Sequence, residues 1–293
     1  MLTMIKRFLL GVLAVACVSC AETTAVKLLN VDDFKAEIDG KEVSLYTLKS
    51  GDLTMQVTNF GARVVSLWVP DKDGHHEDVV LGYNNLENYV NNPGERFLGA
   101  VVGPYANRIA GGTYTIGEET YNFPQNNNGQ TLHGGLKGLD MVVWDVDSVT
   151  EDAIVLSYLC PDGQDGMPGN RKIVMTYTLT PQNEFKVDYV AQTDKATHMN
   201  ISHHSFFNLK GEGNGTIHDH TLQVIADEYI PYDDKAVPLG NVATVEHTPM
   251  DMREPVLIAD RIDLPFFAAG LGFDNGWALP GWNQPNETPA LRL

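Results

Sequence analysis

Cysteine is scarce in this chain: three in 293 residues, at Cys17, Cys20 and Cys160. With two of them inside the first twenty residues, no disulfide framework and no cysteine-rich zinc site can organise the fold. Cations are also few, since 20 Lys and Arg face 38 Asp and Glu and leave a formal net charge of −18. Such a surface repels nucleic acids and phosphorylated sugars, so the expected partner is a neutral small molecule. Gly-x-Ser-x-Gly, P-loop, dinucleotide-binding and His-Glu-x-x-His patterns are absent. Their absence argues against a serine hydrolase of the elbow type, a nucleotide enzyme and a zincin, and no cofactor is expected. No long stretch keeps a helical period; Leu86–Val90 suits a single turn.

An apolar run from Phe8 to Val18 follows Lys6 and Arg7 and precedes Ser19-Cys20-Ala21. That order is an export signal over residues 1–20, too short to span a bilayer comfortably. Cys20 is the residue expected to be lipidated, as in a bacterial lipoprotein. Cys17, after Ala14-Val15-Ala16, is a rival site, and a plain cleaved signal is the alternative. The protein is therefore expected to be exported, in a bacterial periplasm or held to a membrane only by that lipid. Residues 21–40 read as a linker or lead-in and 41–293 as one domain, expected to be a monomer.

The dominant period is two. Ile173, Met175, Tyr177 and Leu179 alternate with polar residues, and Phe185, Val187, Tyr189 and Ala191 repeat the pattern after Thr180-Pro181-Gln182-Asn183. Two half-buried strands joined by a polar turn make a hairpin. Further strands are predicted at Ser44–Leu48, Leu53–Asn59, Arg63–Val69, Val142–Val149, Ile154–Cys160 and Thr221–Ile225. Many strands with Gly- and Pro-marked turns predict an all-β sandwich or barrel. Residues 82–135, rich in Asn and Gly, are predicted to be mostly loop, the usual place for function on a β scaffold.

Two stretches carry candidate chemistry: Leu132-His133-Gly134-Gly135 and Asn200 through Leu209, NISHHSFFNL. Histidine changes charge near neutral pH, so His133 and His204 are candidates for proton transfer. Glycines beside His133 let a backbone approach a ligand closely. Adjacent strand residues point oppositely, so one of His203 and His204 faces a cleft and the other packs behind it; Phe206 and Phe207 should divide the same way. Asn107-Arg108, in GPYANRI, offers an amide and a guanidinium suited to vicinal hydroxyls, unless the arginine only pins a loop. His133, His203, His204, His218 and His220 lack metal-ligand spacing, and no metal site is expected.

In order, Asn59-Phe60-Gly61-Ala62, Asp78 through Tyr83 (DVVLGY), GPYANRI, LHGG, Ser157 through Gly169 (SYLCPDGQDGMPG), NISHHSFFNL and Gly272-Phe273-Asp274-Asn275 resemble the aldose 1-epimerase, or galactose mutarotase, family. The resemblance runs from about Lys41 to Leu279. It implies an all-β, galactose-mutarotase-like β-sandwich (supersandwich) and cofactor-free interconversion of the α and β anomers of a free hexose such as galactose or glucose. By the same resemblance His204 is the general acid that protonates the ring oxygen, and Asn107, Arg108, His133 and Asp274 hold the sugar hydroxyls. His203 stands where the family often has Asn. The family's general base is a glutamate in a late segment that is not read within 1–293. Glu287, in a Pro-rich stretch, is a poor substitute. The domain is accordingly expected to lack its closing strands, and a carbohydrate-binding protein without catalysis is the alternative reading.

Overall fold

The computed structural model describes residues 25–280 and 289–293. The export signal expected over 1–20, the lipidation expected at Cys20, and Glu287 lie outside the described residues.

Two four-stranded antiparallel sheets form the centre. One runs Leu45–Ser50, Leu53–Thr58, Arg63–Pro70, His76–Asp78; the other runs Asp145–Val149, Ala153–Cys160, Arg171–Leu179, Phe185–Thr193. Their facing sides close over Leu48, Met55, Val57, Trp144, Ile173, Met175 and Tyr177. Each such side chain, wholly buried, contributes about 1.5–3 kcal/mol. The predicted alternation is present in Arg171–Leu179, where every odd-numbered residue is buried. Its partner strand keeps Phe185, Val187 and Tyr189 half-buried, opposite Leu179, Tyr177 and Met175, but exposes Ala191. The polar turn closes as expected, with the Asn183 amide donating to Thr180 O at 3.0 Å.

The Asn59-Phe60-Gly61-Ala62 corner knits these sheets to the functional strands. Buried Asn59 donates to the carbonyls of Glu42 and Trp144 and accepts from the Ser44 amide. Gly61 donates to Val142 O, and its own carbonyl accepts from Val101. Val101 lies in Ala100–Val102, the strand paired with Ser202–His204. A hydrophobic corner thereby becomes the mount for a histidine.

The C-terminal part builds a second core from Leu222, Val224, Tyr229, Val245, Met250, Met252 and Phe267. Two three-stranded sheets cover it. The lead-in expected at 21–40 is, over its described part, seated on the domain. Phe34 is fully buried, and Ala36–Ile38 pairs with Lys41–Val43. The predicted single turn is a helix, Leu86–Asn91, capped by the Asn85 side chain on the Asn88 amide at 2.9 Å.

Residues 82–135 are mostly loop, as expected, but carry short elements. They hold that helix and a hairpin, Thr113–Ile116 with Glu119–Asn122. They also hold the short pair Arg108–Ile109 with Thr131–Leu132. These strands run only two to four residues, too short for a period of two to stand out against Asn and Gly.

Asp78, in the DVVLGY motif, anchors the segment that grips the chain beyond His204. Its carboxylate accepts from the Leu67 amide at 2.8 Å and the Val80 amide at 3.2 Å. Val79 O then accepts from Asn208, and Leu81 donates to Phe206 O. Burial pushes the Asp78 carboxyl up to about 6, and nearby Glu212 pushes the same way. A carboxyl raised above its unfolded value of about 3.9 holds its proton more tightly when folded. Its contribution is therefore largest below about pH 4 and is lost as pH rises through about 6. Asp78→Asn keeps an oxygen for both amides without the charge. The variant is expected to be more stable at pH 7 by about 1–3 kcal/mol. Its urea midpoint should also vary less between pH 4 and 6. A lower midpoint at pH 7 would show that the ionised form is the one the fold prefers.

Candidate active site

His203 and His204 divide as adjacent strand residues must. His203 turns inward, its Nδ1 at 3.0 Å from the Tyr177 hydroxyl and its Nε2 at 2.6 Å from Ser205 Oγ. Since Tyr177 donates onward to Ala62 O at 2.9 Å, it accepts from His203 Nδ1–H. Nε2 is then the acceptor for Ser205. Burial lowers the His203 imidazole to about 4, so it stays neutral and structural.

His204 turns the other way, among the rings of Phe97 (5.6 Å), His133 (5.0 Å) and Phe206 (5.1 Å). Burial moves it below the usual imidazole value, while Glu95, Asp274 and Asp140 oppose that shift. The division expected of Phe206 and Phe207 does not occur. Both are a little over one-third exposed, because Phe207 bridges to Val80 at the rim instead of entering the core.

His133 and Asn107 are locked together through backbone turned into the left-handed region, φ 52° and 68°. The His133 amide donates to Asn107 O at 3.1 Å, and the Asn107 amide donates to His133 Nδ1 at 3.0 Å. That second bond fixes the tautomer. Nδ1 carries the lone pair, so Nε2 carries the proton. Burial, with His204 and then Arg108 and Arg96 adding to it, pushes the imidazole down to about 3. His133 is thus a neutral N–H donor suited to a hydroxyl oxygen.

Asn107 is used at both ends. Its Oδ1 accepts from the Arg108 amide at 2.7 Å and its Nδ2 donates to the Tyr232 hydroxyl at 3.1 Å. The Arg108 guanidinium donates through Nε to Asn127 Oδ1 at 3.2 Å and through Nη1 to Asp274 Oδ2 at 3.3 Å. Asn107, Arg108, His133, His204 and Asp274 therefore stand in one contiguous set, although 167 positions separate the first from the last. A cavity of about 610 Å³ opens beside them, lined by Tyr105, Asn107, Arg108, Asn200, Tyr232 and Val242. A smaller one of about 140 Å³ is lined by Tyr232, Phe266, Asp274 and Asn275. The larger lies within the range of small-molecule sites.

Tyr232, Asn127 and Phe97 escaped sequence reasoning. Only the run Asn126-Asn127-Asn128 gave a signal, as part of an Asn-rich stretch. Among the described residues, the cluster able to hold a metal ion is Asp71, Asp73 and His75, in an exposed turn. There Asp71 Oδ1 already accepts from the Asp73 and His75 amides. The set around His204 contains one carboxylate, Asp274, bound to arginine. It is a hydrogen-bonding site more than a metal site.

Two packed antiparallel sheets with imidazoles, amides, a guanidinium and a carboxylate gathered on one side define an acid–base protein for polar, uncharged ligands. The aldose 1-epimerase family matches residues 44–287. Galactose mutarotase from Rattus norvegicus is 38% identical over 240 residues, covering 82% of this chain and 68% of that protein. The crystal structure of galactose 1-epimerase from Lactobacillus acidophilus is 31% identical with a TM-score of 0.75, over 88% of this chain and 74% of that one. An aldose epimerase homologue from C. elegans gives a TM-score of 0.76 at 27% identity, over 85% and 74%. The chain belongs to the aldose 1-epimerase family, and its fold is that of the solved galactose mutarotase structures.

Proposed function

We propose that this protein interconverts the α and β anomers of a free aldohexose, galactose or glucose, by acid–base ring opening. The observation that carries the reading is the coupled set His133–Asn107–Arg108–Asp274 with His204 against it. Four of these groups are fixed by bonds to one another, and His204 is held beside them among the rings of Phe97, His133 and Phe206.

Opening a pyranose moves a proton from the C1 hydroxyl and delivers another to the ring oxygen as the C1–O5 bond breaks. Rotation about C1–C2 and reclosure invert the anomeric carbon. His204, in its imidazolium form, gives the proton to the ring oxygen and recovers it on closure, while solvent water takes the C1 hydroxyl proton and returns one to the C1 oxygen when the ring recloses. Arg108 and the His133 N–H donate to hydroxyl oxygens, Asp274 accepts from a hydroxyl, and Asn107 holds His133 and Arg108 in register. Asp274 is engaged by Arg108 and His133 presents a proton, so in this set the donor side of the exchange is the side that is built. No cofactor enters this chemistry.

Export, with a lipid on Cys20 as the membrane link, belongs to the same proposal, on the strength of the Lys6-Arg7 and Phe8–Val18 pattern.

Polarimetry of freshly dissolved α-galactose or α-glucose with the purified chain tests the reading. The expected result is relaxation to the anomeric equilibrium faster than in buffer. Calorimetric binding of galactose without acceleration would instead make this a carbohydrate-binding protein lacking a working base. With neither binding nor acceleration for either hexose, the proposal falls.

A further inference from the structure

The wall behind the two cleft imidazoles is held by buried charge. Arg63, fully buried, donates from Nη1 to the carbonyls of Arg96 and Leu98, both at 2.9 Å, on either side of Phe97. From Nη2 it donates to Asp140 O at 2.9 Å. The Asp140 carboxylate, also fully buried, grips Arg96 at two points, Nε to Oδ2 at 2.7 Å and Nη2 to Oδ1 at 3.0 Å. The Arg96 guanidinium lies over the Phe97 ring at 5.0 Å. Phe97 in turn touches His133 at 4.7 Å and His204 at 5.6 Å, and the two imidazoles stand 83° apart in plane.

The buried Arg63, 3.7 Å from Asp140 Oδ2, and the half-buried Arg96 share one fully buried carboxylate. That is an expensive way to hold a loop, since apolar residues of equal volume often stabilise as well or better. What such an arrangement supplies is direction. A bidentate guanidinium fixes both the angle and the distance of whatever stacks on it.

We propose that Arg63, Asp140 and Arg96 are positioning residues that set Phe97 as the wall against which His204 and His133 take their mutual angle. This deepens the epimerase reading and rests on it for its kinetic part. The groups acting on His204 are the rings of Phe97, Phe206 and His133, its own backbone, and the charges of Glu95, Asp274 and Asp140. Losing the Arg96 grip moves the first of these rings and leaves the last of these charges paired with Arg63 alone.

Arg96 is 20% exposed, so its replacement perturbs folding least. Arg96→Met keeps the stem and removes the fork; Arg96→Lys keeps the charge and loses the two-point geometry. In the labelled full chain, nuclear Overhauser contacts from Phe97 to both imidazoles are expected to weaken in Arg96→Met, and the His204 titration to shift. The kcat for mutarotation should fall about 10–100-fold with KM changed less than about threefold, because position and not sugar contact is lost. Arg96→Lys should recover part of kcat.

A folded Arg96→Met that keeps the ring contacts, the His204 titration and kcat overturns the proposal. The spectroscopic part needs no turnover. If the parent chain proves inactive while Arg96→Met loses the contacts, the positioning role stands and the epimerase reading fails. Should the contacts persist, the positioning role fails whatever the parent's activity.

Discussion

His204→Ala is expected to lower the rate of anomer exchange by about 10²–10⁴-fold, the usual worth of a positioned general acid. The loss should fall on kcat, with KM nearly unchanged, because hydroxyl contacts are assigned to Arg108, His133 and Asp274. The pH profile gives the sharper signature. The donating form is the imidazolium, and burial holds the His204 pKa below the ordinary imidazole value. The protonated share therefore shrinks as pH rises through that lowered pKa. The parent's rate should show a matching alkaline limb, and the alanine variant should lose it. His203→Ala is the control, since His203 is buried behind the strand against Tyr177 and Ser205. It should cost stability and leave the limb in place. If His204→Ala kept near-parental rate, the proton would have to come from elsewhere.

The sandwich was legible because its long strands obey the simplest rule available. Arg171–Leu179 buries every second side chain, and the hairpin turn carries the residues such turns need. The two histidines were legible for the same reason, as neighbours on one strand must face opposite ways. What sequence could not supply were partners set by tertiary approach. Arg63 read as the first residue of a strand, yet it is wholly buried and bonds to carbonyls 33, 35 and 77 positions away. Tyr232 meets Asn107 across 125 positions, with no local pattern to announce it. The Phe206–Phe207 expectation failed because strict alternation ends where the Ser202–His204 strand ends. Beyond that point the chain is held by single bridges, and both rings stay at the rim.

The glycines after His133 show a subtler misreading, and they carry the second large prediction. In sequence they read as room for a backbone to approach a ligand closely. Gly134 instead admits the protein's own backbone. It sits at φ +91°, and a Cβ there would overlap the Gly103 carbonyl oxygen. That carbonyl accepts from the Leu139 amide at 3.0 Å, four residues before Asn107 in the GPYANRI loop. Gly134 is thus where the His133 loop rests on the Asn107 loop. Gly135 next to it is also left-handed, at φ +88°, but a Cβ would make ordinary contact with Asp165, nearest approach 3.4 Å. The pair separates two costs. Gly135→Ala should lose only the conformational strain, about 1–2 kcal/mol. Gly134→Ala adds a backbone collision that no rotamer can relieve, for a total of about 2–5 kcal/mol. Urea midpoints for the two variants measure the difference. Gly134→Ala should also pull His133 from the Asn107 amide and weaken hexose binding even where the fold survives. Equal losses of stability in the two variants would mean that the loops are not seated on one another at Gly134.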